Sequence, residues 1–337
     1  MFMIDNTITV RNLLTLTGLQ DVLDLEGITE IAVNQPLKIW FDRGDGWEVK
    51  DAPNCTYNHC LNLAKALAVF SGLREPLDFN NPIASVILPD GERGQILIAP
   101  ACEDGCISLT FRKPSLQRFT LDDYERTGRF ATANKATISS IELSKTQHEL
   151  LALQEQRRYK EFFQLAISEN LNILLVGGTG SGKTTIMKAL VDCYPTNKRM
   201  ITIEDVHELT LPNHPNHVHL FYKEGGITPK RIIEACMRLK PDHIFLAELR
   251  GNESWNYIEM LNTGHAGSVT TIHANDCYSA FSRLASLVKQ SDVGQTLEYD
   301  FIMKTIKTSI DVVCFYKHTY MTEIYYNPIE KNKIMSE

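Results

Sequence analysis

The segment with the clearest chemical potential is residues 171–185, LNILLVGGTGSGKTT. Gly177, Gly182, Lys183 and Thr184 occupy the fixed positions of G-x-x-x-x-G-K-[S/T], the phosphate-binding loop that joins a strand to a helix. The apolar residues before the loop favour a strand, and the residues after it are typical of the first turn of a helix. We predict from this pattern that the chain binds a nucleoside triphosphate.

Each residue type in this loop has a physical reason to be there. Gly178, Gly180 and Gly182 are expected to adopt backbone conformations that a side chain would block, so that successive N–H groups turn towards phosphate oxygens. Lys183 is expected to reach the β- and γ-phosphates, and the Thr184 hydroxyl to ligand Mg²⁺. The predicted nucleotide-binding residues are Gly178, Thr179, Gly180, Ser181, Gly182, Lys183, Thr184 and Thr185.

Carboxylates that could serve hydrolysis follow two predicted strands. The apolar run IFLA ends in Glu248, where a carboxylate beside the P-loop strand can hold Mg²⁺ through water or polarise the attacking water. The run ITI is followed by Glu204 and Asp205, with Glu208 four residues after Glu204. One of these three could complete the Mg²⁺ shell. The alternative, a solvated acid, is a serious one for Asp205 and Glu208.

Histidines occur in two further segments. GHAGSVTTIHAN contains His265 and His273 around a β-rich run, and a strand there would end near the γ-phosphate, where a histidine could sense hydrolysis. Each of these histidines, taken alone, is more often an ordinary hydrogen-bonding residue. His214, His217 and His219 resemble a metal cluster, but no cysteine or carboxylate stands at ligand spacing, so we do not predict a metal there.

Composition narrows the class of protein. The 337 residues carry a net charge of −7, which argues against a surface built to hold nucleic acid, so we predict no stable nucleic-acid binding. No run of about 18 apolar residues is present, and the N-terminus lacks the basic start and apolar block of a secretory signal. The eight cysteines are scattered, and we expect reduced cytosolic thiols, with the pair Cys102 and Cys106 structural.

The elements that must position these residues fall into three parts. Residues 1–112 predict a small α+β domain: a helix over 11–25, antiparallel strands, a helix over 57–73 and a hairpin around Pro89-Asp90-Gly91. Residues 113–145 have weak periodicity and predict a linker, with a short helix at 121–127. Residues 146–337 alternate helix and strand, beginning with a helix over 147–169, which favours an α/β layer structure. A linker of this length allows the N-terminal domain to sit on its own P-loop domain or on a neighbour's.

The order of these segments resembles a known family. The P-loop, ITIEDVHEL, IFLAELRG and GHAGSVTTIHAN look like the Walker A, Asp box, Walker B and His box of the type II/IV secretion ATPases. ITEIAVNQP and ILPDGERGQI with SLTFRKPS are similar to N-terminal segments of the VirB-type traffic ATPases of type IV secretion systems. The resemblance implies an α/β fold with a C-terminal RecA-like P-loop NTPase domain, preceded by a small α+β (PAS-like) N-terminal domain.

The resemblance also implies residue roles and partners. It implies ATP and Mg²⁺ as cofactors, and a cytoplasmic homo-hexamer, peripheral at the bacterial inner membrane, that works with inner-membrane components and other ATPases of the secretion machine. Ala247 stands where a glycine is usual in the family. The implied catalytic residues are Glu248, Glu204, His273 and Lys183. The residues implied to bind Mg²⁺, directly or through water, are Thr184, Glu204 and Glu248. Arg93 and Arg112 are implied to contact the phosphates, and Phe119 to lie beside the base.

Two other functions stay open at this stage. A type II secretion or type IV pilus motor would carry the same boxes; those motors often have a four-cysteine zinc module after Walker B, which is absent here, but retraction motors lack it too. A nucleotide-gated docking platform, in which turnover only resets the state, would also need this site. Turnover and secretion by a Glu248→Gln variant separate the platform from a motor.

Overall fold

The computed structural model describes residues 7–114, 118–133, 142–223 and 225–336. Its N-terminal part is a six-stranded antiparallel sheet in the order β3-β2-β1-β6-β5-β4, with helices packed on one face. The elements, in chain order, are α1 (Ile8–Thr17), α2 (Leu19–Leu23), β1 (Glu30–Val33), β2 (Lys38–Asp42), β3 (Trp47–Asp51), α3 (Tyr57–Phe70), β4 (Ile83–Ile87), β5 (Arg93–Ile98) and β6 (Ile107–Arg112).

The C-terminal part is a seven-stranded sheet in the order β13-β12-β7-β11-β10-β8-β9, parallel except for the edge strand β13. Helices cover both of its faces, as expected for alternating helices and strands. After the short α4 (Leu121–Arg126), the elements are α5 (Lys145–Glu155), α6 (Tyr159–Ser168), β7 (Ile173–Val176), α7 (Lys183–Val191), β8 (Met200–Glu204), β9 (His217–Phe221), α8 (Pro229–Cys236), β10 (His243–Leu246), α9 (Glu253–Asn262), β11 (Val269–Ile272), α10 (Cys277–Gln290), α11 (Tyr299–Ser309), β12 (Val312–Lys317), β13 (Tyr320–Tyr326) and α12 (Pro328–Ser336).

Most predicted elements are present, with two exceptions of the same kind. The helix predicted over 147–169 is two helices, α5 and α6, because Arg157 has a φ of 57° and ends the first one. The helix predicted over 11–25 is likewise divided, into α1 and α2. The hairpin around Pro89-Asp90-Gly91 is confirmed, since Ile87 pairs with Arg93 across β4 and β5.

The N-terminal domain packs on the P-loop domain of its own chain. Arg199, just before β8, is fully buried, and its guanidinium donates to Asn34 Oδ1 at 2.9 Å and Thr110 Oγ1 at 3.3 Å, both in the N-terminal domain. Lys240, which precedes β10, forms an ion pair with Asp42. These contacts place part of the N-terminal domain at the amino ends of β8 and β10, opposite the end of the sheet where the P-loop lies. The domain also extends along the edge strand β9, where the Phe221 N–H donates to the Ala101 carbonyl oxygen at 2.9 Å.

In the described ranges, no helix combines the length and apolar character needed to cross a bilayer.

Candidate functional site

The turn between β7 and α7 has the backbone geometry of a phosphate-binding loop. Gly177 has a φ of 154°, and a Cβ there would lie 2.5 Å from Ser181 Oγ and 2.5 Å from the Tyr316 carbonyl oxygen. Gly182 has a φ of 89°, and its Cβ would lie 3.3 Å from Thr319 Cα. At Gly177 the space excludes a Cβ, and at Gly182 the left-handed φ favours glycine while a Cβ would be tightly packed.

The middle of the loop is more open. Gly180 has a φ of 71°, but Gly178 has an ordinary φ and open space where a Cβ would stand, so the expectation that Gly178 needs glycine's conformation is wrong. Ser181 Oγ is buried and has no hydrogen-bond partner among the described residues. A buried hydroxyl without a partner costs free energy. An anionic oxygen held in the loop would supply that partner, so the residues fit a phosphate group.

Lys183 is folded back onto the loop. Its Nζ donates to the carbonyl oxygens of Gly177 at 2.8 Å and Gly178 at 2.9 Å. Burial lowers the pKa of this ammonium, and the negative charge of Glu248 partly opposes the shift. Thr184 is half-buried in the first turn of α7 and Thr185 is exposed. The loop therefore holds a partly desolvated cation at a helix N-terminus, an arrangement that favours phosphate.

Glu248 lies at the centre of a charge network beside this loop. Its Oε1 is 3.0 Å from His273 Nε2, and its Oε2 accepts from Arg250 Nη2 at 2.8 Å. Arg250 also forms an ion pair with Asp205. These contacts arise because β7, β11 and β10 are parallel neighbours in the sheet, so the residues after their carboxyl ends meet at one edge.

The surroundings of His273 favour the neutral form of its imidazole. Burial lowers the pKa of this imidazole, the positive charge of Lys183 lowers it further, and Glu248 partly offsets both effects. A neutral ring can donate from one nitrogen and accept at the other. The structure therefore brings Lys183, Glu248 and His273 together, as the order of sequence motifs predicted.

Glu204 holds a turn rather than facing solvent. It is fully buried, and its Oε1 accepts the backbone N–H groups of Glu208 at 3.0 Å and Leu209 at 2.8 Å. Its Oε2 accepts from the Thr202 hydroxyl at 3.1 Å. Burial raises the pKa of this carboxyl, and the backbone hydrogen bonds act in the opposite direction. The ordered turn begins with Asp205, the partner of Arg250.

The two predicted phosphate-contacting arginines lie elsewhere in the chain. Arg93 and Arg112 are register partners on β5 and β6. They line a cavity of about 440 Å³ together with residues that precede β10, among them Met237 and Lys240, and with His265. Because this cavity lies at the amino end of β10, the structure does not bring the arginines to the P-loop of the same chain.

Phe119 is not among the residues that contact the P-loop in the description above. It follows the N-terminal domain, is 38% exposed, and its ring is covered by the guanidinium of Arg129 at 4.4 Å. Its predicted position beside a base is not tested by these contacts and stays a prediction.

Two features of the site were not anticipated from the sequence. Arg250, which links Asp205 to Glu248, follows the Walker B carboxylate by two residues, and that proximity was the available signal. The end of β12 and the turn that follows it cover the P-loop: the Tyr316 carbonyl oxygen excludes a Cβ at Gly177, and Thr319 would crowd one at Gly182. No local sequence pattern predicts the contact of this segment with the P-loop, because that contact depends on the strand order of the whole sheet.

Sequence comparison with known proteins identifies the family to which a chain with this site belongs. The family model described as "Type II/IV secretion system protein" matches residues 126–317, more than half of the chain. The Type IV secretion system protein VirB11 of Brucella suis is 40% identical over 333 residues, which is 95% of this chain and 91% of that protein. The chain belongs to the type IV secretion branch of this ATPase family. VirB11 of Bartonella henselae (36% identity; 97% of this chain and 96% of that protein) and PtlH of Bordetella pertussis (34%; 88% of each) are further relatives of this branch.

The fold agrees as well. The crystal structure of the Brucella suis VirB11 ATPase in complex with sulphate superposes with a TM-score of 0.91 at 40% identity, covering 98% of this chain and 97% of that one. The predicted fold class, a RecA-like P-loop domain after a small α+β domain, is confirmed. The type IV assignment is likewise preferred over a type II secretion or pilus motor, because the relatives named above are type IV secretion proteins.

Proposed function

We propose that this traffic ATPase hydrolyses ATP to ADP and phosphate, and that its domains couple turnover to substrate translocation and pilus assembly. The convergence of Lys183, Glu248 and His273 at the carboxyl ends of three neighbouring strands carries this proposal. A phosphate loop alone would support binding only. A carboxylate that contacts a histidine next to the loop lysine adds the groups that hydrolysis needs.

The residues of the site have distinct proposed roles. Phosphate oxygens would replace the loop carbonyls as partners of Lys183 and would satisfy the Ser181 hydroxyl. Thr184 and Glu248 would hold Mg²⁺, directly or through water; this ion neutralises phosphate charge when it is bound. Glu248 would polarise the attacking water, with Arg250 fixing the orientation of its carboxylate.

His273 and Glu204 act beside these groups. His273 contacts Glu248, and the positive charge of Lys183 lowers the pKa of its imidazole. We therefore propose that His273 senses the loss of the γ-phosphate. Glu204 orders the turn that carries Asp205 and through it positions Arg250. The catalytic and Mg²⁺-binding roles predicted for Glu204 stay predictions.

Arg93 and Arg112 lead to a proposal about assembly. Both face the amino end of β10, away from their own P-loop, so we propose that they reach a nucleotide held by a neighbouring copy. Such contacts would tie domain motion in one subunit to hydrolysis in the next. They fit a homo-hexameric ring, in which Phe119 would approach the base.

The proposed location follows from the family. The relatives are type IV secretion system proteins, and we propose that this chain is cytoplasmic and peripheral at the bacterial inner membrane. Its proposed partners are inner-membrane components and other ATPases of the machine. With a net charge of −7, we propose no stable nucleic-acid binding.

A pair of lysine variants tests the catalytic proposal. Lys183→Ala should abolish ATP hydrolysis by the purified protein and secretion by cells that depend on it. Lys188→Ala removes an exposed lysine one turn later on the same helix and should leave both intact. Wild-type turnover by Lys183→Ala, or equal loss in both variants, would contradict the assignment of the P-loop as the hydrolytic site.

A further inference from the structure

Three potential metal ligands converge near the carboxyl end of β8 and the adjacent edge strand β9. They are Glu204 at the end of β8, His207 in the turn that follows, and His219 on the edge strand β9. One ligand atom from each residue lies within 4.8 Å of the other two. Glu204 and His219 are buried, whereas His207 is exposed, so solvent reaches the cluster from one side.

Strand pairing explains why these residues meet. β8 and β9 are parallel, with Thr202 opposite His219 and Glu204 opposite Phe221. Alternate residues on a strand share a face, which places His219 and Glu204 on the same side of the sheet. His207 then returns across this face, where its ring lies 4.3 Å from that of His219.

Hydrogen bonds already orient two of the three ligands. The Thr202 hydroxyl donates to Glu204 Oε2 at 3.1 Å and lies 2.7 Å from His219 Nδ1. When Glu204 is ionised, as it is when it binds a metal, the single hydroxyl proton of Thr202 goes to Glu204. His219 then donates its Nδ1–H to Thr202, which leaves the imidazole lone pair on Nε2. Histidines that bind metals in proteins characteristically donate their other ring N–H to a fixed acceptor in this way.

We propose that Glu204, His207 and His219 bind a divalent transition metal of the Zn²⁺ class. Two imidazoles and one carboxylate are a known zinc ligand set, with a water in the fourth position. Imidazole favours Zn²⁺, Cu²⁺ and Ni²⁺ over Mg²⁺, so this site is chemically distinct from the nucleotide's magnesium. Ligands about 2 Å from one ion lie closer together than 4.8 Å, and the exposed side chain of His207 can close that gap.

The observed cluster differs from the one that sequence spacing suggested. His214 is turned away, with its Nε2 on the Tyr194 carbonyl at 3.1 Å. His217 lies with His219, Cys102 and Cys106 around a small pocket, but it is not among the three converging residues. Burial raises the pKa of the Cys102 thiol to about 12 and that of Cys106 to about 11, which leaves both thiols protonated.

Occupancy of this site would affect the turn between β8 and β9. Glu204 accepts two backbone N–H groups of that turn, and Asp205 within it holds Arg250. A metal bound at both ends of the turn would fix it against unfolding, because a ligand that binds only the folded state stabilises that state. We therefore expect Zn²⁺ to raise the melting temperature of the protein.

Metal titration of the full-length, chelator-stripped protein tests the proposal, with nucleotide and Mg²⁺ omitted. Wild type should bind one Zn²⁺ per chain, and bound Co²⁺ should give the visible spectrum of a four-coordinate site. His207→Gln, an exposed change, should lower the Zn²⁺ affinity about tenfold or more and remove the thermal shift. His148→Gln replaces an exposed histidine on α5 and should change neither quantity.

Three results from the histidine variants would overturn the proposal. They are equal Zn²⁺ affinity in wild type and His207→Gln, equal loss in His207→Gln and His148→Gln, or a Co²⁺ spectrum that His207→Gln leaves unchanged. Lys183→Ala should retain the Zn²⁺ site even though it loses ATP hydrolysis. A shared loss of both in Lys183→Ala would assign the metal to the nucleotide site instead.

Discussion

Replacement of Glu248 by glutamine separates binding from chemistry at this site. The variant keeps the shape of the side chain but loses the charge that polarises water. Loss of a general base costs about 10²- to 10⁴-fold in rate, which is about 3–5 kcal/mol in the activation barrier. We therefore expect ATP turnover to fall by at least about a hundredfold while ATP binding through the P-loop persists.

The contacts of Glu248 predict that this variant still folds. Its partners are partly open to solvent, with side-chain exposures of 55% for Arg250 and 43% for His273. The carboxylate of Glu248 itself is only 15% exposed, but the neutral glutamine leaves no unpaired buried charge in its place. Glutamine can still accept from Arg250 with its oxygen.

The assay pairs phosphate release with binding of a fluorescent ATP analogue, measured on the same preparations. Glu259→Gln makes the same chemical change on the exposed face of α9 and should behave as wild type. Turnover by Glu248→Gln above about a tenth of the wild-type rate would refute the catalytic assignment. Full secretion by this variant without turnover would instead favour a nucleotide-gated platform over a motor.

Two further predictions concern the loop and the domain interface. Gly177→Ala should lower the free energy of unfolding by about 1–3 kcal/mol, because its φ and its contact with the Tyr316 carbonyl oxygen exclude a Cβ. Gly178→Ala should leave the free energy of unfolding unchanged, and equal urea-denaturation curves for the two variants would contradict this. Burial raises the pKa of Glu30 from 4.5 to about 7, and the ion pair with Arg112 at 3.6 Å only partly opposes this shift because water screens it. The unfolded chain therefore loses this proton first, and the free energy of unfolding should fall as the pH rises from 4.5 to 7. Glu30→Gln should remove that loss, roughly 3 kcal/mol at pH 8, and an unchanged pH profile of urea unfolding would contradict it.

The parts of the site that were predictable depend on local chemistry and on one rule of sheet geometry. The P-loop was predictable because its glycines, lysine and threonine are consecutive in sequence. Glu248 and His273 were predictable because each follows an apolar strand, and the carboxyl ends of neighbouring parallel strands meet. The requirement for glycine at Gly178 was predicted from the motif and is wrong, since the loop is open at that residue.

The remaining features depend on contacts between segments far apart in sequence. The packing of the N-terminal domain depends on Arg199, which bonds Asn34 from the other domain, and no local pattern marks that pair. The convergence of His207 and His219 needs the pairing of β8 with β9 across a long turn. The break between α5 and α6 follows from the positive φ of Arg157, a residue with no sequence preference for that conformation.

The mass of the species that hydrolyses ATP tests the central claim most directly. Light scattering on chromatographic fractions, with turnover measured in each fraction and with an ATP analogue added in parallel, gives both quantities from one preparation. The proposed ring ATPase predicts that turnover coincides with a particle of six chains. Full turnover by a stable monomer would contradict it.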